Sequence, residues 1–293
     1  MTCVASLAGV ERSFGTVRAV AGVSLAVDEG EVVALLGPNG AGKTTTIEIL
    51  LGLINADHGD VSLFGGSPDK AIAEGLVGAM LQDGGLMTGV SVAEMLNMLR
   101  TQYPDPVTVD RALALTGLVG LERRRVDRLS GGQTQRLRAA CALIGNPRFV
   151  VLDEPTVAMD VEARHGFWTA MRSLAAEGRT ILFSTHYLEE ADEFADRVVV
   201  LGGGRVLADS SPSAIKSTVG LRVVRCTLAG ADEYTLESMP GVQSVRVHHE
   251  RVELRTTDSD ATLRALLGAF SEACDLDVVG AGLEDAFLAL TAA

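Results

Sequence analysis

The sequence predicts an α/β fold with a buried, largely parallel sheet, followed by a small α+β domain, and three observations carry that prediction. The first is Gly37-Pro38-Asn39-Gly40-Ala41-Gly42-Lys43-Thr44-Thr45, a full match to G-x-x-x-x-G-K-[ST] between an apolar run, Glu31 to Leu36, and a helical pattern, Thr46 to Leu51. The second is a pair of further apolar runs ending in polar residues: Phe149 to Leu152 leads into Asp153-Glu154-Pro155, and Thr180 to Thr185 into His186. Uninterrupted apolar runs of strand length suit strands covered on both faces, as in a parallel sheet. The third is a change of pattern beyond Val219, where short strands and helices follow in the order βαββαβ with one more helix.

The chain has 293 residues, 47% hydrophobic and 22% charged, enough for one large domain or a medium one with a small partner. Its apolar residues are scattered, and no run approaches the roughly 20 needed to cross a bilayer. Met1-Thr2-Cys3-Val4 lacks the basic and apolar regions of a signal peptide, so a soluble chain inside the cell is expected. Cys3, Cys141, Cys226 and Cys274 are far apart with no C-x-x-C pair, which argues against a zinc site and a disulfide framework. The net charge of −13 disfavours a general nucleic-acid surface, and Arg123-Arg124-Arg125 with Arg128 reads as a solvated stretch.

In chain order, Val4 to Glu11 and Arg18 to Val27 read as strands around the turn Ser13-Phe14-Gly15-Thr16. Phe14 sits there either to stack on an adenine or to pack the turn onto the sheet. In the loop that follows, the glycines let successive N–H groups point at a phosphate, and the helix behind them adds its positive end. Lys43 then reaches the β/γ-phosphates and the Thr44 hydroxyl ligates Mg²⁺. Gly59 to Gly65 and Leu76 to Leu81 read as short strands, the second ending at Gln82, and Asp83 to Gly89 as a flexible connection. Ser91 and Glu94 have capping-box spacing ahead of a helix, and Thr108 to Leu118 is another amphipathic helix.

Leu129-Ser130-Gly131-Gly132-Gln133 opens a helical pattern that runs to Ile144. A serine and two glycines at a helix start offer unpaired N–H groups to an anion; they also make an ordinary N-cap. Asp153, at the end of a buried strand, is placed to hold Mg²⁺ beside Thr44, and Glu154 to orient or deprotonate a water attacking a γ-phosphate. Arg197 to Leu201 and Arg205 to Ala208 form a hairpin around Gly202-Gly203-Gly204, and Ser211-Pro212 opens a short helix. The second domain reads as strand Leu221 to Leu228, helix Glu233 to Met239, hairpin strands Val242 to His248 and Arg251 to Thr256, helix Ala261 to Phe270, strand Leu276 to Val279 and helix Leu283 to Thr291. His248-His249 reads as a solvated turn.

Together these motifs resemble the nucleotide-binding subunit of an ABC transporter over about Val4 to Ser217. Phe14 stands as the A-loop aromatic, Gly37 to Thr45 as Walker A, Gln82 as the Q-loop and Leu129 to Gln133 as the LSGGQ signature. Asp153 and Glu154 stand as Walker B with its glutamate, Val157-Ala158-Met159-Asp160 as the D-loop and His186 as the switch histidine. Small departures are Phe14 where tyrosine is commoner, Met159 where leucine is usual and Thr134 where a basic residue is frequent. The resemblance implies a P-loop NTPase cassette at 1–218, with a RecA-like core, an antiparallel β subdomain and a helical subdomain at about 88–146. A ferredoxin-like accessory domain follows at 219–293.

The resemblance further implies ATP and Mg²⁺ as ligands and head-to-tail pairing with a second copy or a similar cassette. Ser130, Gly131, Gly132 and Gln133 would then meet the partner's nucleotide. Thr44, Gln82 and Asp153 would serve the metal, and Lys43, Gln82, Glu154 and His186 the hydrolysis. Lacking a span of its own, the chain would act at the cytoplasmic face of the membrane on a separate permease, through the Gln82 to Met95 region. Ser184 to Asp192 and Leu283 to Leu290 resemble daunorubicin-type drug exporters with ABC-2 permeases. The alternative is a soluble ABC ATPase acting on ribosome or DNA. It is disfavoured by the acidity and by the lack of a second cassette or of a long coiled coil between Gln82 and Leu129.

Overall fold

The apolar runs around the glycine loop become neighbours in a six-stranded sheet in the computed structural model of the chain. Its strands are β3 (Val32–Leu36), β5 (Val77–Met80), β6 (Phe149–Asp153), β7 (Thr180–Thr185), β8 (Arg197–Gly202) and β9 (Arg205–Ser210), in the order β5-β6-β7-β3-β8-β9. All pairs are parallel except β8 with β9. The register sets Met80 beside Leu152, Asp153 beside Ser184, and Leu36 beside Thr185. The C-terminal ends of β3, β5, β6 and β7 therefore share one edge, where open α/β sheets bind ligands. Residues 2–82, 84–218, 220, 222–280 and 282–291 are described. Three landmarks of the sequence reading, Asp83, Val219 and Leu221, lie outside them.

The chain divides into two units, Met1–Ser210 and Ser211–Ala293. In the first, an antiparallel sheet of β1 (Cys3–Phe14), β2 (Val17–Asp28) and β4 (His58–Leu63) has the order β2-β1-β4. Val23, Leu25 and Val27 are buried while Ser24 and Ala26 are exposed, the alternation of a sheet with one covered face. Helix α1 (Lys43–Leu50) fills the gap between the two sheets, its Ile47 and Leu50 packing with Val10, Val23 and Leu35. It starts at Lys43, ahead of the expected Thr46, because Gly42 at φ 97° makes the N-terminal turn. Only glycine takes that conformation without Cβ strain.

The helical layer comprises α3 (Val92–Arg100), α4 (Val109–Leu115) and α5 (Gly131–Leu143), joined through Leu96, Leu113, Leu137 and Ile144. The expected capping box forms: Glu94 N donates to Ser91 Oγ at 3.3 Å and Ser91 N to Glu94 Oε2 at 2.7 Å. Helix α4 stops at Leu115, short of the expected Leu118, where Gly117 turns the chain at φ 64°. Three helices lie where the sequence reading places none: α2 (Pro68–Ala73), α6 (Val161–Ala176) and α7 (Leu188–Phe194). Trp168 of α6 is fully buried, 4.3 Å from the Phe183 ring and 5.4 Å from that of Phe194.

The second unit runs α8 (Pro212–Thr218), β10 (Arg222–Thr227), α9 (Glu233–Glu237), β11 (Val242–His248), β12 (Arg251–Thr256), α10 (Ser259–Ala269), β13 (Cys274–Gly280) and α11 (Leu283–Thr291). Its antiparallel sheet has the order β11-β12-β10-β13, the topology expected of a ferredoxin-like βαββαβ unit. Val224, Val252 and Leu254 pack on Leu236 of α9 and Leu266 of α10.

Candidate active site

The loop Gly37–Thr45 leaves the buried strand β3 and runs into α1. Its glycines answer to close approach as well as to torsion. A Cβ on Gly42 would stand 2.4 Å from the Ala19 carbonyl oxygen, and one on Gly37 would stand 2.6 Å from that of Leu201. Strands β2 and β8 thus hold the loop in place, while Pro38, Asn39 and Gly40 at its crest are exposed. Lys43 is 7% exposed, and its Nζ donates to Gly37 O at 2.6 Å and Pro38 O at 3.3 Å. Burial pulls the Lys43 ammonium below its ordinary pKa, against the opposing pull of the negative charges of Glu154 and Asp153.

Across from the loop, Asp153 is 1% exposed and its Oδ2 accepts from Thr44 Oγ1 at 2.9 Å, while its Oδ1 accepts from the Ser184 hydroxyl. Glu154 turns away at φ 50°, a left-handed conformation that costs a glutamate roughly 1–2 kcal/mol. Its N–H is held by Ser184 O at 3.2 Å and Ser184 Oγ at 3.0 Å. Glu154 Oε2 lies 2.6 Å from Nδ1 of His186, whose side chain is 46% exposed. Lys43, Thr44, Asp153, Glu154 and His186 are therefore one cluster. Gln82, two residues past the end of β5, has no hydrogen bond to it among the described residues: its carbonyl accepts from Arg138 at 3.0 Å, and its amide bonds neither Thr44 nor Asp153.

The segment Ser130–Gln133 lies apart from this cluster. Among the described residues no hydrogen bond or ion pair joins it to Gly37–Thr45. Ser130 caps α5, accepting from Gln133 N at 3.3 Å while Gln133 Oε1 accepts from Ser130 N at 3.0 Å. A Cβ on Gly132 would stand 2.7 Å from the Ala158 carbonyl oxygen, so this glycine also seats the helix on the Val157–Asp160 turn. Phe14 is 48% exposed, with the Arg12 guanidinium 5.0 Å above its ring.

The Thr44 hydroxyl of the loop and Asp153 Oδ2 at the end of β6 stand 2.9 Å apart. Among the described residues no group of three or more His, Cys, Asp or Glu side chains could hold a metal ion. That donor set fits a magnesium ion completing its shell with nucleotide phosphate oxygens and waters. His248 and His249 stand exposed at their turn. Nearby, a cavity of about 700 Å³ on the sheet face opposite α9 and α10 is lined by Arg225, Arg246, Arg251, Glu253, Asp275 and Asp277, whose charges balance.

The sequence pattern of the family described as "ABC transporter" matches residues 20–157. The chain is 36% identical over 294 residues to the Nod factor export ATP-binding protein I of Rhizobium sp. (strain N33), covering 97% of this chain and 96% of that protein. The chain belongs to the ABC transporter family, as an ATP-binding subunit. The protein of the same name from Paraburkholderia xenovorans (strain LB400) is 37% identical over 294 residues, 96% of this chain and 95% of that one. Among solved structures, an ATP-binding subunit of an ABC transporter aligns with TM-score 0.67 and 26% identity, covering 74% of this chain and 93% of that chain. The bacterial cassette MJ0796, solved as a dimer, aligns with TM-score 0.65 and 26% identity over 71% of this chain and 98% of its own. Its post-hydrolysis state with ADP and Pi aligns at TM-score 0.65 and 25% identity. The protein is an ABC ATPase that takes ATP with Mg²⁺, and among the described residues no helix is long and apolar enough to cross a membrane.

Sequence reasoning missed Ser184, which ties Asp153 and the Glu154 backbone to β7, and Glu190, a buried carboxylate on α7. Ser184 could have been found from its place two residues before His186 on an apolar strand.

Proposed function

We propose that this ATPase drives export through a separate membrane permease of the ABC-2 class, for a drug-like, antibiotic or lipid-like compound. The observation that carries export is the whole-length match to Nod factor export proteins, which extends over both units of the chain. The drug-type cargo rests on the likeness of Ser184 to Asp192 and Leu283 to Leu290 to daunorubicin-type exporters. In this reading 1–218 is the nucleotide-binding domain and 219–293 an accessory domain.

Two copies, or this chain and a similar cassette, pair head to tail at the cytoplasmic face of the membrane. Phe14 stacks on adenine, the loop Gly37–Thr45 wraps the phosphates, and Ser130, Gly131, Gly132 and Gln133 close on the nucleotide of the other cassette. Thr44, Gln82 and Asp153 serve the metal. Mg²⁺, when bound, neutralises charge on the β- and γ-phosphates. Lys43 exchanges its bonds to Gly37 O and Pro38 O for phosphate oxygens, and this exchange recovers the cost of its burial. Glu154 accepts a proton from the attacking water or orients it, and His186, 2.6 Å away, fixes the carboxylate.

The test is to trap Glu154→Gln protein with ATP in its native cells, solubilise the membranes gently and identify what co-purifies. A polytopic membrane protein is expected. Ribosomes or nucleic acid instead would replace the export reading with that of a soluble ATPase, and near-normal turnover in Glu154→Gln would remove Glu154 from the chemistry.

A further inference from the structure

We propose that Glu190, which touches neither the loop nor Asp153, is the positioning residue that sets the geometry of the Glu154–His186 pair. The inference rests on the reading that this pair acts on the attacking water. Glu190 is 2% exposed on α7. Its Oε1 accepts from Thr156 Oγ1 at 2.5 Å and its Oε2 from Thr185 Oγ1 at 2.7 Å. Thr156 follows Glu154 by two residues, across Pro155, and Thr185 immediately precedes His186. One carboxylate thus grips both segments that carry the reacting side chains. The Tyr187 N–H donates to the same Thr185 hydroxyl at 3.0 Å, so the backbone on either side of His186 is held as well.

A buried carboxylate is costly unless paired and fully hydrogen-bonded. Here Arg164 of α6 supplies the charge, its Nε 3.5 Å from Oε1 without a hydrogen bond, while its guanidinium lies 4.2 Å above the Tyr187 ring. The turn so gripped is strained at both ends, with Glu154 at φ 50° and Ala158 at φ 64°. Such conformations persist only where the surroundings over-determine them. The Ser184 bonds hold the Glu154 end, and the Glu190–Thr156 bond holds the middle. Released from it, Glu154 and Ala158 are free to relax toward ordinary torsions and carry the Glu154 carboxylate off His186. A misplacement of about 1 Å in a catalytic group costs on the order of 10²-fold in rate.

The experiment compares full-length Glu190→Gln, which keeps the size, and Glu190→Ala with wild type and Glu154→Gln. Steady-state ATPase, single-turnover hydrolysis, ATP affinity and melting temperature are read for each. Turnover is expected to fall about 10- to 100-fold in the Glu190 variants, with the KM for ATP and the melting-temperature gain on adding MgATP essentially unchanged. In the Glu154→Gln background, Glu190→Ala should lower the residual single-turnover rate no further, because it acts only through the missing carboxylate. Wild-type turnover in Glu190→Gln and Glu190→Ala beside an inactive Glu154→Gln would overturn the role of Glu190 alone. So would a rise in KM matching the fall in turnover, with additive loss in the double variant, the mark of a merely structural residue. Near-normal turnover in Glu154→Gln would instead refute the underlying reading of the site.

Discussion

Gly78, in the middle of β5, carries a steric constraint that Gly78→Ala would break. An added Cβ would stand 2.0 Å from the carbonyl oxygen of Ala142 and 2.7 Å from Pro147 Cγ, about 1.4 Å short of ordinary contact with that oxygen. The obstacle is the backbone of α5, which cannot swing aside as a side chain would, so the strand or the helix must move. Overpacking a well-filled core costs roughly 1–3 kcal/mol, and a backbone obstacle places this change at the upper end. For a domain of this size that lowers the melting temperature by about 6–12 °C. The same displacement levers the helix that begins at Ser130–Gln133, so ATP turnover should fall while one-chain ATP affinity, set by Gly37–Thr45, changes little. Calorimetry of the nucleotide-free chain with ATP titration and phosphate release reads all three. A melting temperature within about 2 °C of wild type would show that β5 and α5 are not in the contact described, and would refute the reasoning.

Three further outcomes are expected of the same structure. Lys43 titrates below its ordinary value in the folded state, so between that pKa and the unfolded one the native chain binds fewer protons. Apo stability should therefore rise with pH through that window, the penalty being fully present below it. Lys43→Met should flatten the rise, melt no lower than wild type near neutrality, and lose the stabilisation by MgATP, as thermal melts across pH would show. Burial pushes the Cys141 thiol up to about 12 and also raises that of Cys226, whereas Cys3 and Cys274 are exposed. Thiol labelling of the native protein followed by peptide mass mapping should mark Cys3 and Cys274, with the other two reacting only after unfolding. Phe14→Ala should weaken ATP binding by the roughly 1–3 kcal/mol of an aromatic–base stack, with Phe14→Tyr close to wild type by calorimetric titration. Equal affinity in all three proteins would make Phe14 a packing residue.

Much of the first unit was legible because its decisive features are local. An apolar strand, a glycine loop and Lys43-Thr44 are contiguous, and so are the capping box at Ser91, the N-cap at Ser130 and the acids that close β6. The βαββαβ order of the second unit could likewise be read from alternation and turn residues alone. Helix α6 was legible as well, with Phe167, Trp168, Met171 and Leu174 at helical spacing behind the Asp160 cap, and the sequence reading passed over it. Other features join residues far apart in the chain. Thr44 meets Asp153 across 109 positions, Thr156 meets Glu190 across 34, Gly78 admits the Ala142 carbonyl, and Gly132 admits that of Ala158. The sequence by itself determined the chemistry, because phosphate loops and strand-end acids are written in neighbouring residues. Tertiary structure decided which side chains hold that chemistry in register, because close packing of distant segments has no local period to read.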